Sequence, residues 1–231
     1  MSSPDVRDIT EDMQKRAPEA PRQDLRELVL RASVELIDEQ GLEALSMREV
    51  ARRANVSHQA PYHHFADREA ILAAICERGF EMLTERIKRA RASADGAFDQ
   101  LEAASVAYVE FACEHSAYFR VMFRPELVHK ENYPKLMETA DCAYQQVPHM
   151  LAACMKEGLR ADPDEQSMAL ALWSMVHGCA CLLIDGPVEK KFAGSLDRKQ
   201  VIAGVSRAFR ALMESAARAE SPKPHKKKTK S

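Results

Sequence analysis

From Arg22 onward the apolar residues Leu25, Leu28, Val29, Ala32, Leu36 and Ile37 recur at intervals of three and four. That spacing lays side chains along one stripe of an α-helix, and Gly41 just beyond it predicts the helix end. Near the other end of the sequence, Val201, Ile202, Val205, Phe209, Leu212 and Met213 mark one face of a second long helix from Asp197 to about Ala219. Alternating β-branched runs are absent between them. Glycine or proline stands instead at positions suited to helix boundaries: Gly96, Pro125, Pro134, Gly158, Pro163, Gly186, Pro187 and Gly194. The pattern predicts an all-α chain of about nine helices. No repeat at solenoid periods is visible.

The helix that begins at Asp67 divides the chain. Its first half closes a three-helix unit over residues 22–70, and its second half runs through Phe80, Leu83 and Ile87 into a larger helical unit over 71–220. The flanks differ from both. Residues 1–21 hold three prolines and no period, with three basic against five acidic residues, and read as a disordered acidic arm. Residues 221–231, SPKPHKKKTKS, carry five lysines and no acid and read as a disordered basic tail.

Charge narrows the function. The whole chain has a net charge of −2, residues 22–91 are balanced at twelve of each sign, and 92–220 are acidic. A general basic coat for nucleic acid is excluded, so any DNA contact must come from a local patch. Such a patch lies between Ser46 and Arg68, where Arg48, Arg52, Arg53 and Arg68 face only Glu49 and Asp67, with His58, His63 and His64 nearby. No apolar run approaches the ~20 residues of a spanning helix, and the polar start MSSPDVRDIT lacks a signal-peptide pattern, so the expected compartment is the cytoplasm. The six cysteines, at 76, 113, 142, 154, 179 and 181, lack zinc-site spacing and read as reduced, mostly buried thiols.

The basic patch has internal order. Ser46 and Glu49 have the spacing of a capping box, which predicts a short helix burying Val50, Ala51 and Ala54. Asn55 suits a left-handed turn, Val56 plugs the core, and Ser57 is placed to cap a second short helix over 58–65. Pro61 falls in its first turn, where a missing N–H is tolerated. Pro61 and Phe65 then point to the core, while His58, Gln59, Tyr62 and His63 share the opposite face as a polar reading head. Two short helices so joined form a helix-turn-helix that reads DNA. Ser57, His58, Gln59 and His63 are the candidates for base edges, and Ser46, the Met47 N–H, Arg48, Tyr62, His64 and Arg68 for phosphates. An ordinary three-helix packing motif is the competing reading. His63 and His64 are adjacent on a helix, point about 100° apart and cannot chelate a metal together.

The run LSMREVARRANVSHQAPYHHFADREAIL resembles the tetracycline-repressor-type (TetR) family, which shares the capped helix, a Gly-Val-Ser turn and a Tyr-x-His-Phe ending. The likeness covers residues 25–72 and departs at Asn55, where glycine is usual. Farther on, GLRADPDEQSMALALWSMVHGCACLLIDG resembles the C-terminal domain of one TetR subgroup, marked by Trp173-x-x-x-His177-Gly178. The resemblance implies a homodimer built through the last two helices, a ligand cavity in the C-terminal domain, and a repressor of a palindromic operator released by a small-molecule effector.

Candidates for the cavity wall are Phe111, His115, Tyr118, Phe119 and Met122, with Tyr144, Met150, Trp173 and His177. Trp173 and His177 lie four apart and read first as a core pair, tryptophan on a hydrogen-bonded histidine, ahead of a ligand contact. The domain's acidity and its methionines suggest an apolar or weakly cationic ligand. Helix 164–185 is apolar on nearly every side, so one face is expected to meet a partner subunit; Cys179, Leu183, Val205, Ala208, Phe209 and Leu212 are the candidates for that interface. An all-helical enzyme using His115, His149 or His177 with a cysteine is the alternative from another class. No nucleophile, base and orienting group stand at recognisable spacing, and no cofactor is expected. A thiol- or metal-responsive DNA-binding sensor is a further alternative, against which Cys179 and Cys181 fall on different faces of one helix, where neither a disulfide nor a shared metal is easy.

Overall fold

The computed structural model describes residues 22–159, 164–186 and 198–218, without the side chains of 22–24, 198, 209 and 212–218. The acidic arm, the basic tail and the predicted breaks at Pro163, Pro187 and Gly194 lie outside them. The described residues are helical, with no strand among them. They fall into two compact units that divide between Leu72 and Ala73.

The first unit starts with α1, Arg22–Gln40, whose stripe is realised with Val29, Ala32, Leu36 and Ile37 at 4% exposure or less. Gly41 ends it at φ +83°, in the left-handed region, while its N–H still donates to the carbonyl of Ile37. A 3-10 turn over Leu42–Ala44 leads to α2, Met47–Arg53, and a second 3-10 turn, Ala60–His63, precedes α3, Arg68–Ala92. The unit boundary falls inside α3.

The second unit continues α3 and adds α4 (Ala97–Glu114), α5 (Ser116–Met122), α6 (Pro134–Tyr144), α7 (Gln146–Lys156), α8 (Glu165–Ile184) and α9 (Arg198–Arg218). α4 lies at its centre, packed against α7, α8 and α9. Phe80, Leu101, Phe111, Phe119, Met122 and Leu136 are among its most completely buried large side chains. Each contributes about 1.5–3 kcal/mol of transfer free energy. Gly96 brings no side chain to the start of α4, so the cap comes from elsewhere: the Ala97 N–H donates to the Glu157 carboxylate at 2.9 Å. Arg210 of α9 bonds Asp99 and Glu102 of α4, and Arg86 of α3 bonds Glu110 and Glu114.

α8 corrects two expectations. It is long and apolar enough, by length and composition, to cross a membrane, against the reading that no run approaches that length; only 22% of its most apolar stretch is buried within the chain. The sequence leaves 166–184 without a single charge. Its outward stripe is also rotated from the one expected. Cys179 and Leu183 turn inward, at 9% and 5% exposure, while Leu170, Met175 and Leu182 face out. An evenly apolar helix carries no periodic signal to say which face its own subunit takes.

Candidate nucleic-acid interface and effector cavity

Between α2 and the second 3-10 turn the chain is built by local rules. Ser46 is the N-cap of α2 and its hydroxyl accepts the Glu49 N–H at 3.2 Å. The reciprocal half of the capping box is not made, because the Glu49 carboxylate takes both Nε and a terminal nitrogen of Arg52. Charge-assisted pairs of this kind outcompete a neutral N–H. Val50, Ala51 and Ala54 are buried. Asn55 sits at φ +54°, and the Val56 N–H reaches back to the Ala51 carbonyl. Val56 itself is half-buried rather than a full core plug.

Ser57 does not act as a side-chain cap, and the second helix is not α-helical over 58–65. The helical turn is Ala60–His63, of 3-10 type, with Gln59 before it. Pro61 has no N–H to give the Ser57 carbonyl, so the Ala60 N–H takes that acceptor one residue early, at 3.0 Å. Pro61 and Phe65 point into the core, and Arg26 lies over the Phe65 ring at 5.4 Å. His58, Gln59, Tyr62 and His63 are all exposed, and none of their side chains makes a hydrogen bond within the described residues. The His58 and Tyr62 rings stand 6.0 Å apart. His64 is half-buried, and the Met47 side chain is buried, so Met47 offers only its backbone.

The arginines of this patch are less available than their number suggests. Arg53 pairs with Glu35 and Glu39 of α1, and Arg52 with Glu49. Arg68, expected at a phosphate, instead donates Nε to the Leu45 carbonyl at 2.9 Å and a terminal nitrogen to that of Leu42 at 3.0 Å. It ties the first 3-10 turn to the start of α3. Among the described residues Arg48 has no hydrogen bond or ion pair and is exposed. Nothing in sequence spacing reveals that Arg68 meets carbonyls 23 and 26 residues earlier.

The second unit encloses a cavity of about 260 Å³. Phe80, Leu83 and Ile87 of α3 form one wall, and Leu101, Ala104, Ser105 and Tyr108 of α4 another. Phe123, Tyr144, Met150, Trp173 and Val176 complete most of the rest, and exposed Leu170 stands at its mouth. Of the residues expected there, Tyr144, Met150 and Trp173 line it. Phe111, Phe119 and Met122 are at most 2% exposed and sit in the core beyond the lining. His115 packs against Phe111 and Tyr118, and neither His115 nor Tyr118 reaches the cavity. The α3 wall was visible only as helix spacing, which marks a solid core and a hollow one alike.

His177 stands one bond behind the lining. The Trp173 indole N–H donates to the Tyr108 oxygen at 3.3 Å, and the Tyr108 hydroxyl shares a hydrogen bond with His177 Nδ1 at 2.9 Å. Burial lowers the histidine pKa from its ordinary value and raises that of the Tyr108 hydroxyl, so both stay uncharged. The His177 ring stacks on Phe119 at 5.3 Å, whereas its contact with Trp173 is tilted.

Burial also pushes the Cys76 thiol up to about 12 and Cys154 to about 11, and raises Cys179 and Cys181. Val205 is half-buried and Ala208 exposed on α9, while the side chains of Phe209 and Leu212 lie outside the described residues.

Comparison with known proteins agrees with this architecture. The HTH-type transcriptional activator FasR of Mycolicibacterium smegmatis is 28% identical over 114 residues, 49% of this chain and 52% of that protein. The chain thus spans about half the length of this curated relative. A structure of a protein of unknown function from Rhodococcus sp. RHA1 superposes with a TM-score of 0.68 at 26% identity, covering 87% of this chain and 98% of that one. The TetR family transcriptional regulator PfmR from Thermus thermophilus gives 0.61 at 22% identity, covering 80% and 96%, and shows the same fold. A family model described as bacterial regulatory proteins, tetR family, matches residues 29–75, and one described as tetracyclin repressor-like, C-terminal domain, matches 101–203. The two matches together take in well over half of the chain, and the chain belongs to the tetracycline-repressor-type family of bacterial regulatory proteins.

Proposed function

We propose that the protein is a homodimeric, cytoplasmic, sequence-specific DNA-binding repressor of a palindromic operator, released by a small-molecule effector. The observation that carries this reading is the exposed, unbonded set His58, Gln59, Tyr62 and His63, held on a turn whose opposite side is anchored by Pro61 and Phe65. Four polar side chains with no internal partner, fixed by a buried base, are what a groove-reading element requires. Gln59, His58, His63 and Ser57 take the base edges. Ser46, Arg48, Tyr62, His64 and the Met47 N–H take the phosphates, and Arg68 supports them as a clamp rather than as a contact. Residues 22–70 carry the DNA-binding role, and 71–220 carry effector binding and dimerisation.

The partner subunit covers the outward stripe of α8, where Leu170, Met175 and Leu182 are 60%, 36% and 51% exposed. Gly178 on α8 and Gly204 on α9 have open space where a side chain would stand, which suits close helix approach by a second copy. The effector selects a conformation in which two reading heads no longer match half-sites one turn of DNA, ~34–36 Å, apart. The Trp-x-x-x-His-Gly subgroup assignment rests on the motif Trp173-x-x-x-His177-Gly178. A thiol-responsive sensor is disfavoured because burial raises the pKa of four cysteines and keeps them as thiols.

A fluorescence-anisotropy titration with the intergenic DNA upstream of the gene tests the reading. Saturable binding at low concentration is expected, weakened at least about tenfold by Gln59→Ala combined with Tyr62→Ala. Equal affinity for a scrambled duplex, or indifference to the double substitution, overturns it.

A further inference from the structure

The α3 wall of the cavity ends at Ile87, and the same helix face continues beyond it. Phe80, Leu83 and Ile87 line it at spacings of three and four, and the next position on that helix face is Arg91. At about 1.5 Å of rise per residue, Arg91 lies roughly 16 Å along the axis from Phe80. It is half-buried, and a terminal nitrogen donates to Oε1 of Gln146 at 3.2 Å, where Gln146 itself lines the cavity. The Nε of Arg91 is fully buried and has no hydrogen-bond partner. Among the described residues Arg91 makes no ion pair, although its guanidinium is always charged.

A buried donor without an acceptor is costly, and folded proteins normally satisfy it. The C-terminal end of α3 offers only about half an elementary charge, and Gln146 only an amide dipole. No charged side chain lines the cavity among the described residues. The opposite pole is neutral, and its Tyr108 hydroxyl is bonded to both His177 and Trp173. An anion there meets neither a cation nor a free donor. The acidity of this unit resides elsewhere, in carboxylates such as Glu110 and Glu114 that are held by Arg86 outside the cavity lining.

We propose that the cavity binds an amphipathic ligand with a hydrocarbon body and a carboxylate head. The head lies against Gln146 and takes the guanidinium of Arg91, one helix turn beyond the lining, and the chain runs past Ile87 and Leu83 toward Tyr108. This rests on reading the cavity as the effector site, and it reverses the cationic preference suggested by the bulk charge of residues 92–220.

The test uses the full chain without DNA and the fluorescence of Trp173, the one tryptophan of the sequence and a cavity residue. Dodecanoate, dodecanol and dodecyltrimethylammonium are titrated below their micelle concentrations. Dodecanoate is expected to bind about tenfold or more tighter than dodecanol, with the ammonium weakest, as a charged hydrogen bond in a sheltered site implies. In Arg91→Met the carboxylate's advantage disappears while dodecanol still binds, which shows the cavity intact. Arg91→Gln carries the same expectation should methionine disturb the fold, and the wild-type series stands without either variant. The proposal is overturned if dodecanol or the ammonium matches dodecanoate in the wild-type protein, or if the folded Arg91 variants keep the preference. Because no operator is present, a failure here leaves the DNA titration standing, and a failed DNA titration leaves this result standing.

Discussion

Replacing Tyr108 with phenylalanine removes one oxygen and nothing else, and that oxygen serves two neighbours. The hydroxyl is bonded to His177 Nδ1 at 2.9 Å and accepts the Trp173 indole N–H at 3.3 Å, inside a residue that is 7% exposed. An unsatisfied buried polar group costs about 1–3 kcal/mol. Two such groups are orphaned here, but both rings are only half-buried and the indole bond is long, so the expected loss is about 1–3 kcal/mol in total rather than twice that. The aromatic packing of Tyr108 on Phe119, at 5.6 Å and nearly edge-on, is retained by phenylalanine. Urea unfolding followed through Trp173 and in parallel by far-UV circular dichroism reads the change as a lower midpoint at unchanged slope. Adding His177→Leu to Tyr108→Phe removes one orphaned nitrogen and is expected to recover part of the loss, the coupling that distinguishes a hydrogen-bond defect from a packing defect. A loss below about 0.5 kcal/mol, or a double variant no more stable than the sum of the singles, refutes the assignment of this triad as a satisfied neutral unit.

Three further outcomes follow from the geometry. Because burial lowers the pKa of His177 from its ordinary 6.5, the unfolded chain takes up a proton that the folded chain refuses; stability should therefore be full above pH 6.5 and fall as the pH drops below it. His177→Leu should flatten much of that slope in urea midpoints across about pH 5–8, with His115, lowered by the same cause, accounting for the rest. Arg68→Met should destabilise the first unit by about 1–3 kcal/mol through the carbonyls of Leu42 and Leu45, while leaving the salt dependence of operator binding unchanged; a shallower salt slope would return Arg68 to the phosphates. Gly79→Ala places a methyl group 2.5 Å from the sulfur of Met122, which is wholly buried, and should lower the thermal midpoint at a cost of about 1–3 kcal/mol; an unshifted melt contradicts the packing described for α3.

Pairing explains why counting charges misled. Arg52, Arg53 and Arg68 enter a sequence tally as three positive residues in a DNA-reading segment, yet each is engaged within the fold. Arg52 is bound within its own helix turn, so its pairing was legible at a spacing of three. Arg53 and Arg68 reach partners 14 to 26 residues away, and no local pattern encodes such a meeting. The cavity has the same logic in reverse. Tyr108, Phe123 and the α3 face carry apolar residues whose periodicity states that they are covered, but not whether by another side chain or by empty space.

What the sequence determined by itself was therefore local. The stripe of α1 and its stop at Gly41, the Ser46 cap, the left-handed Asn55 and the inward Pro61 and Phe65 depend on backbone and side-chain preferences acting within four or five residues, and they hold in the structure. The tertiary structure decided what those elements meet. It carried Arg68 to the carbonyls of Leu42 and Leu45, rotated α8 so that Leu170, Met175 and Leu182 face outward, and left Arg91 without a counter-ion one helix turn beyond an apolar cavity. Those outcomes turn on which distant groups arrive at the same place, and on the free energy of satisfying or stranding them once there.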